Sequence, residues 1–486
     1  MVARNLAALV VPLVMCALLL PEHLRGEVTV TVVDSEVSPK FTTVAEAQHH
    51  VRSLRAAGSQ DDITIAIGEG VHAPFTIGAS DSGFSADGRT IYRGSGGKTQ
   101  ISGGTEIPPG LFKPSKFFPA RWELHISGNK IHQRTIFLNG TEDELFRVRT
   151  VAAGGPDDPR HGVCKHYRVN TQNILEMSHD NRTWALAAAL DCGNGWQKIT
   201  SATFTAARTL LTADISSLNI DHASFGEIKA GNCIHVCATT RAMLSFNGER
   251  MVLARWPNFD TTAGRNVYAH LASGDAGSFV VEESDADVKA RMLGWAAAGT
   301  GWVHGYWDQD WADCYRKIAT SAADGDNGVN ITFTPADTTP KHNARFYATN
   351  LLDELDAPGE FFFELANSTR SLVHMLPPPG YPSDPRLWPR GPIIGLEDPV
   401  VNMSGSRHVT LQSMQVLHSR GVGVLATDVV DVAIREVNSS LHSRQGVWLH
   451  GENSSITNCT VVAVGCGKSG HPHTTISVHA ITLQVY

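Results

Sequence analysis

Leu411-Gln412-Ser413-Met414-Gln415-Val416-Leu417-His418-Ser419-Arg420 decides the fold, because its last four residues return as Leu441-His442-Ser443-Arg444, 24 positions on. Upstream of each copy stands a pair of apolar residues: Leu411/Met414, then Ile434/Val437, then Ile456/Cys459, at offsets of 23 and 22. After each copy comes a short apolar run, Gly421-Val422-Gly423-Val424-Leu425 and then Gly446-Val447-Trp448-Leu449. Self-similarity in the low twenties is the signature of a solenoid, in which stacked repeats bury a core that no single repeat could bury. The runs 429–437 and 456–464 are rich in Val and Ile and bounded by Gly, Ser, Asn and Asp, which is strand chemistry. No helix of ordinary length fits between copies. Each repeat therefore reads as one coil of a right-handed parallel β-helix, laid on the next at about 4.8 Å. An antiparallel sandwich would need the spacing to be coincidence, and the Leu-x-x-Leu-x-Leu pattern of leucine-rich repeats is absent.

The chain has 486 residues and a net charge of −8, so it carries no electrostatic footprint for nucleic acid. Residues 1–26 read as a secretory signal: Arg4, then the apolar run Leu6 to Leu20, then Pro21. That run is shorter than the roughly 20 residues of a membrane span. Asn-x-Ser/Thr sequons at Asn139, Asn181, Asn330, Asn367, Asn402, Asn438, Asn453 and Asn458 agree with a secreted, extracellular chain, with Asn458 expected to be buried in a strand. Removal of the signal leaves Cys164, Cys192, Cys233, Cys237, Cys314, Cys459 and Cys466, an odd set that leaves one thiol unpaired within the chain. Cys233-x-x-x-Cys237 lacks a second pair at zinc spacing and reads as core or disulfide. No metal and no cofactor is expected, and the chain reads as a monomer.

Residues 27–110 read as an N-terminal cap and first strands. Thr43 and Glu46 form a capping box for a helix with Val44, Ala47, Val51 and Leu54 on one face, ending at Gly58. Strands are expected at 63–67, 75–77, 90–93 and 100–102. Residues 111–390 break the repeat and read as a large β-rich insertion. Its hairpin signals are Asn139-Gly140, Asn194-Gly195 and Asn247-Gly248, its helices Ala286 to Ala298 and Trp311 to Ile318, and its end the proline-rich linker Pro377 to Pro392. Residues 391–486 hold the coils. The pattern stops at Tyr486 in mid-strand, as a truncated, uncapped solenoid would.

Arg255-Trp256-Pro257-Asn258, the stretch from Gly305-Tyr306-Trp307-Asp308 through Gln309-Asp310-Trp311-Ala312-Asp313, and Asn350-Leu351-Leu352-Asp353-Glu354-Leu355-Asp356-Ala357-Pro358-Gly359-Glu360 occur in that order. With Phe41-Thr42-Thr43 and Ile101-Ser102-Gly103-Gly104, this order resembles secreted right-handed parallel β-helix proteins of the pectin-lyase-like superfamily, nearest to glycoside hydrolase family 141. The resemblance spans residues 28 to 470 and implies a glycoside hydrolase acting on extracellular polysaccharide. The family's acidic catalytic residues are expected on coils further along than this chain reaches.

Inverting glycosidases use two carboxyl groups about 6.5–9.5 Å apart, one protonated and one activating water. Asp308 and Asp310, between Trp307 and Trp311, are the candidates for that pair, with the two rings as sugar platforms. The plainer reading makes the tryptophans core and the aspartates a helix cap. Glu354, Asp356, Glu360, Glu397 and Asp398 fit turn chemistry. On the coils, His418, Arg420, His442 and Arg444 are expected to stack in register as a basic ladder, suited to an anionic sugar if it faces a cleft. A solvated turn is the plainer reading. The set His471, His473 and His479 lacks a carboxylate or cysteine in phase. The expected partner is a polysaccharide or glycan, with a polysaccharide lyase or a non-catalytic glycan-binding or adhesion solenoid as the alternatives.

Overall fold

The computed structural model describes residues 28–32, 40–115 and most of 210–465, with strand segments between 121 and 208 and between 476 and 482. Its largest sheet is a stack of parallel strands. Val28–Val32 lies beside Ile63–Ile67, then come Thr90–Arg93, Arg407–Ser419, Val424–His442, and finally Ser455–Thr457 with Cys459–Val464. Leu411 sits opposite Ile434 and Met414 opposite Val437, a step of 23, and Ile434 sits opposite Ile456, a step of 22. The parallel stacking expected from the apolar pairs is present, at their offsets.

Each coil bends at residues with left-handed backbone. His408, Asp431 and Asn453 make one column (φ 53°, 54°, 51°), Ser413, Glu436 and Asn458 a second (57°, 54°, 53°), and His418, Leu441 and Ala463 a third (62°, 61°, 51°). None is glycine, and a left-handed L-residue costs about 1–2 kcal/mol. Parallel hydrogen bonding and a common interior on either side of each bend offset that cost. Between bends, Leu411, Met414, Val416, Ile434, Val437 and Cys459 point inward into one core shared with Val30, Ile63, Ile65, Tyr92 and Ile101. Val44, Ala47 and Val51 of the helix Val44–Ala56 join that core. Thr43 and Glu46 close the capping box at the start of this helix, and Gly58 (φ 94°) follows its end.

The insertion leaves the stack after Ser102. Thr90–Arg93 and Thr99–Ser102 pair directly with Arg407–Ser419, Val409 opposite Thr90 and Val416 opposite Ile101. At the neck, Gly104–Glu106 runs antiparallel to Ile393–Gly395. Glycine is required there, since a Cβ on Gly104 would lie 2.4 Å from the Ile393 side chain and 2.8 Å from that of His418. The residues between fold mainly into a five-stranded and an eight-stranded sheet. Asn247 and Gly248 turn a hairpin with φ of 50° and 79°, the positive pair that a two-residue hairpin loop uses. Asn139-Gly140 and Asn194-Gly195 lie outside the described residues.

Several expectations need correction. Trp311 to Ile318 is not a helix: Cys314–Asp324 is a strand, and from Cys314 to Ile318 buried residues alternate with more exposed ones, the two-residue period that pairing with Trp302–Gly305 imposes. The other helix is shorter than expected, Ala286–Gly294, with Trp295 buried just past its end. Cys233 needs no correction, being one half of a disulfide as one of its two readings has it, with Cys314 as partner, and among the described residues Cys459 is a buried free thiol. Asn458 is exposed at a bend instead of buried in a strand. Beyond the last parallel coil the pairing reverses, with Ile476–Val478 antiparallel to Cys459–Val464. No helix among the described residues is long and apolar enough to cross a membrane.

The inward columns give a direct test. Ile434→Ala removes a fully buried side chain from the middle of the stack. It is expected to lower the unfolding free energy by about 2–5 kcal/mol, read as a lower urea midpoint at unchanged slope.

Candidate functional site

The eight-stranded sheet packs an apolar core on one face and a largely buried polar, aromatic row on the other. Val303, Phe346, Ala348 and Ile331 pack inward with Trp295, Trp307, Phe279 and Phe333. On the central strand Trp302–Gly305, the alternate residue His304 lies directly opposite Tyr315 on one neighbour and Tyr347 on the other. The rings are 4.6 Å and 4.7 Å from it, and the two phenols meet at 3.2 Å. The Asp313 Oδ2 lies 2.5 Å from His304 Nε2, a carboxylate accepting the ring proton. That bond orients the imidazole, whose Nδ1 is buried with no hydrogen-bond partner.

Arginines border the row on both sides. Arg255 stands 3.7 Å over the Tyr347 ring, and Arg345 stands 3.6 Å over Tyr306 and 4.8 Å over Tyr268. Burial pushes the Tyr306, Tyr315 and Tyr347 phenols up, so they stay protonated donors. Arg255, His304, Asp313 and Tyr347 are buried, and the partly exposed edge of the row, Tyr268, Tyr306 and Arg345, offers rings, hydroxyls and a cation that suit a polyhydroxylated ligand.

The four residues of the acidic stretch are divided between interior and surface. Trp307 is 1 % exposed, stacked on Phe333 in the core, whereas Trp311 is 71 % exposed. Gly305 explains the first, since a Cβ there would lie 2.6 Å from the Trp307 ring. Both aspartates are at the surface. Asp308 pairs with Lys341 at 2.6 Å, and the bonds from Lys341 and Gln309 hold its carboxyl below the usual range. Asp310 pairs with Arg345 at 2.5 Å, which ties it to the Tyr306 end of the row. Glu360 instead fastens a turn, accepting from the Asp356 and Ala357 amides. Glu354 accepts from Arg291 and the Trp295 indole, and Asp398 accepts from the Val422 amide.

The four residues of the basic ladder do not lie in one register. The step between these coils is 23, one less than the tetrapeptide offset, so Ser419 lies opposite His442. At the bend, His418 shares its column with Leu441. Both imidazoles are interior. His442 Nδ1 accepts from the Ser419 amide, its Nε2 meets Ser439 Oγ at 2.9 Å, and a Cβ on Gly423 would lie 2.4 Å from that nitrogen. His418 Nδ1 meets Ser102 Oγ at 3.0 Å. Burial lowers His418 to about 4, and burial and His418 lower His442 to about 3. The Arg420 guanidinium bonds the Leu396 and Thr240 carbonyls, while the Arg444 Nε is buried without a partner. His471, His473 and His479 lie outside the described residues, among which no group of three His, Cys, Asp or Glu is placed to hold a metal.

No family model matches the chain, and no curated protein matches it. The fold is similar to that of a solved structure titled "Glycoside hydrolase", over 90 % of this chain and 74 % of that one, at a TM-score of 0.50 and 13 % identity.

The buried imidazoles make stability depend on pH. A folded pKa below the ordinary value of about 6.5 means the unfolded chain binds more protons as pH falls. Stability contributed by neutral His442 is therefore present above about pH 6.5 and lost between there and about pH 3. His442→Gln is expected to remove roughly 2 kcal/mol of the stability difference between pH 7 and pH 5, measured by urea unfolding at both values.

Proposed function

We propose that this chain is a carbohydrate-active protein on a right-handed parallel β-helix, with the helix Val44–Ala56 covering its first coil, and that it is a glycoside hydrolase acting on extracellular polysaccharide. The observation that carries this reading is the shared fold with the glycoside hydrolase over nine-tenths of the chain. The motif order of the pectin-lyase-like proteins, nearest to family 141, supports it. Fold alone selects no chemistry, so the roles rest on the side chains. The exposed ring of Trp311, next to Asp310, is the sugar platform. Asp308 and Asp310, each ion-paired, suit the ionised carboxylate that activates water. Arg345 holds Asp310 and stands over Tyr306, whose ring lies 5.9 Å from the His304 ring that Asp313 holds, so the Asp313–His304 pair is assigned to the leaving oxygen. The leader-like run Leu6 to Leu20 and the sequons support a site of action outside the cell.

A second reading is non-catalytic glycan binding, favoured by one feature: the surface carboxylates Asp308 and Asp310 are both engaged in ion pairs, with Lys341 and Arg345. Incubating the purified protein with a polysaccharide panel, and scoring reducing ends and unsaturated uronates together, separates the readings. Hydrolysis predicts reducing ends without unsaturated products, and unsaturated products would make the protein a lyase. Asp313→Asn and Asp310→Asn are each expected to slow release about 100-fold or more, while Trp311→Ala raises KM several-fold. Retention of polysaccharide with no product in any lane would leave the binding reading standing and remove the hydrolase.

A further inference from the structure

Arg250 is a half-buried cation with no carboxylate partner among the described residues. It ends the Asn247-Gly248 hairpin, its backbone opposite Ser245. Its guanidinium reaches the end of the last parallel strand, where a Cβ on Gly465 would lie 2.9 Å from Nη2. His442 lies within electrostatic reach on the coil side, and Tyr315 and Tyr347 on the side of the aromatic row. The Nε is buried and makes no hydrogen bond, and no carboxylate among the described residues pairs with the group. Three other arginines with little exposure are matched by a carboxylate, Arg316 with Asp337, Arg291 with Glu354 and Arg89 with Asp431, while Arg255 and Arg420 spend their bonds on carbonyl and amide oxygens.

The described groups around it do not supply the missing charge. Tyr315, Tyr347 and His442 are all held neutral by burial. Arg255, over the Tyr347 ring, adds a second cation whose bonds go to Pro257 O, Asn266 Oδ1 and Val267 O. Glu360, the carboxyl that acts on Arg255, is itself pushed up by burial. A cation partly withdrawn from water, its Nε buried with neither counter-charge nor hydrogen bond, is a costly arrangement. It becomes favourable when a ligand brings the anion, and the guanidinium fork matches two oxygens of a carboxylate or sulfate.

We propose that Arg250 is an oxyanion subsite, which takes the carboxylate or sulfate ester of an acidic glycan in the seam between the last coil and the aromatic row. The glycan part of this assignment rests on the function proposed above; the anion site itself does not. Thermal unfolding of the full chain is followed with galacturonate, inorganic sulfate, glucose and chloride at matched ionic strength. Galacturonate or sulfate is expected to raise the Tm of the wild type by a few degrees over chloride, and glucose to leave it unchanged. Arg250→Gln loses that gain and Arg250→Lys keeps part of it. In affinity gels, Arg250→Gln weakens retention by acidic polymers about tenfold or more and leaves neutral polymers unaffected. Uronate gels and sulfated gels run side by side tell which oxyanion is preferred. An equal Tm gain in Arg250→Gln, or no gain in the wild type from either anion, overturns the subsite. The small probes need no cleavage, so a negative polysaccharide panel with an Arg250-dependent gain would remove the hydrolase alone.

Discussion

The architecture depends on holding the left-handed bends in column. A bend that drifted by one residue would turn every following side chain to the opposite face, because side chains along a strand alternate. His408, Asp431 and Asn453, with their counterparts at the other two bends, keep Leu411, Ile434 and Ile456 pointing inward at steps of 23 and then 22. Polar residues fill most of these places, and their backbone strain is tolerated because each bend lies between paired segments. The stack also brings Thr90–Arg93 against Arg407–Ser419 across the whole insertion, so both ends of the insertion are fixed on one stack.

Much of this was legible in the order of residues, through the inward apolar pairs. Leu411/Met414 and Ile434/Val437 repeat at the true step because the core constrains them. The tetrapeptide repeats at a false one. His418 occupies a bend and His442 the position after one, so identical residues meet different surroundings, and the expected ladder of bases becomes two interior imidazoles. Leu417, His418 and Ser419 and their copies Leu441, His442 and Ser443 are all buried but in different local packing, so their shared identity does not report the register.

The aromatic row was not legible, because no short segment contains it. His304, Tyr315 and Tyr347 become neighbours only through cross-strand pairing, and Arg255 arrives from a fourth strand. The one available hint was the polar His304 within Trp302-Val303-His304-Gly305, a two-residue alternation on an otherwise apolar strand. The run from Trp307 to Trp311 drew attention because its rings and acids are adjacent in sequence. Burial then separates them: Trp307 serves the core, Trp311 faces water, and Asp313, further along, joins the imidazole.

The neck at Gly104 and Gly395 has an architectural consequence. The two ends of the excursion meet as paired strands, so the spine is interrupted in covalent connectivity and continuous in space. Such a junction accepts guests: a host whose exit and entry points touch can carry a large module without rearranging its own hydrogen bonding. New chemistry can thus be acquired by exchanging the module, with the coils serving as an unchanging chassis.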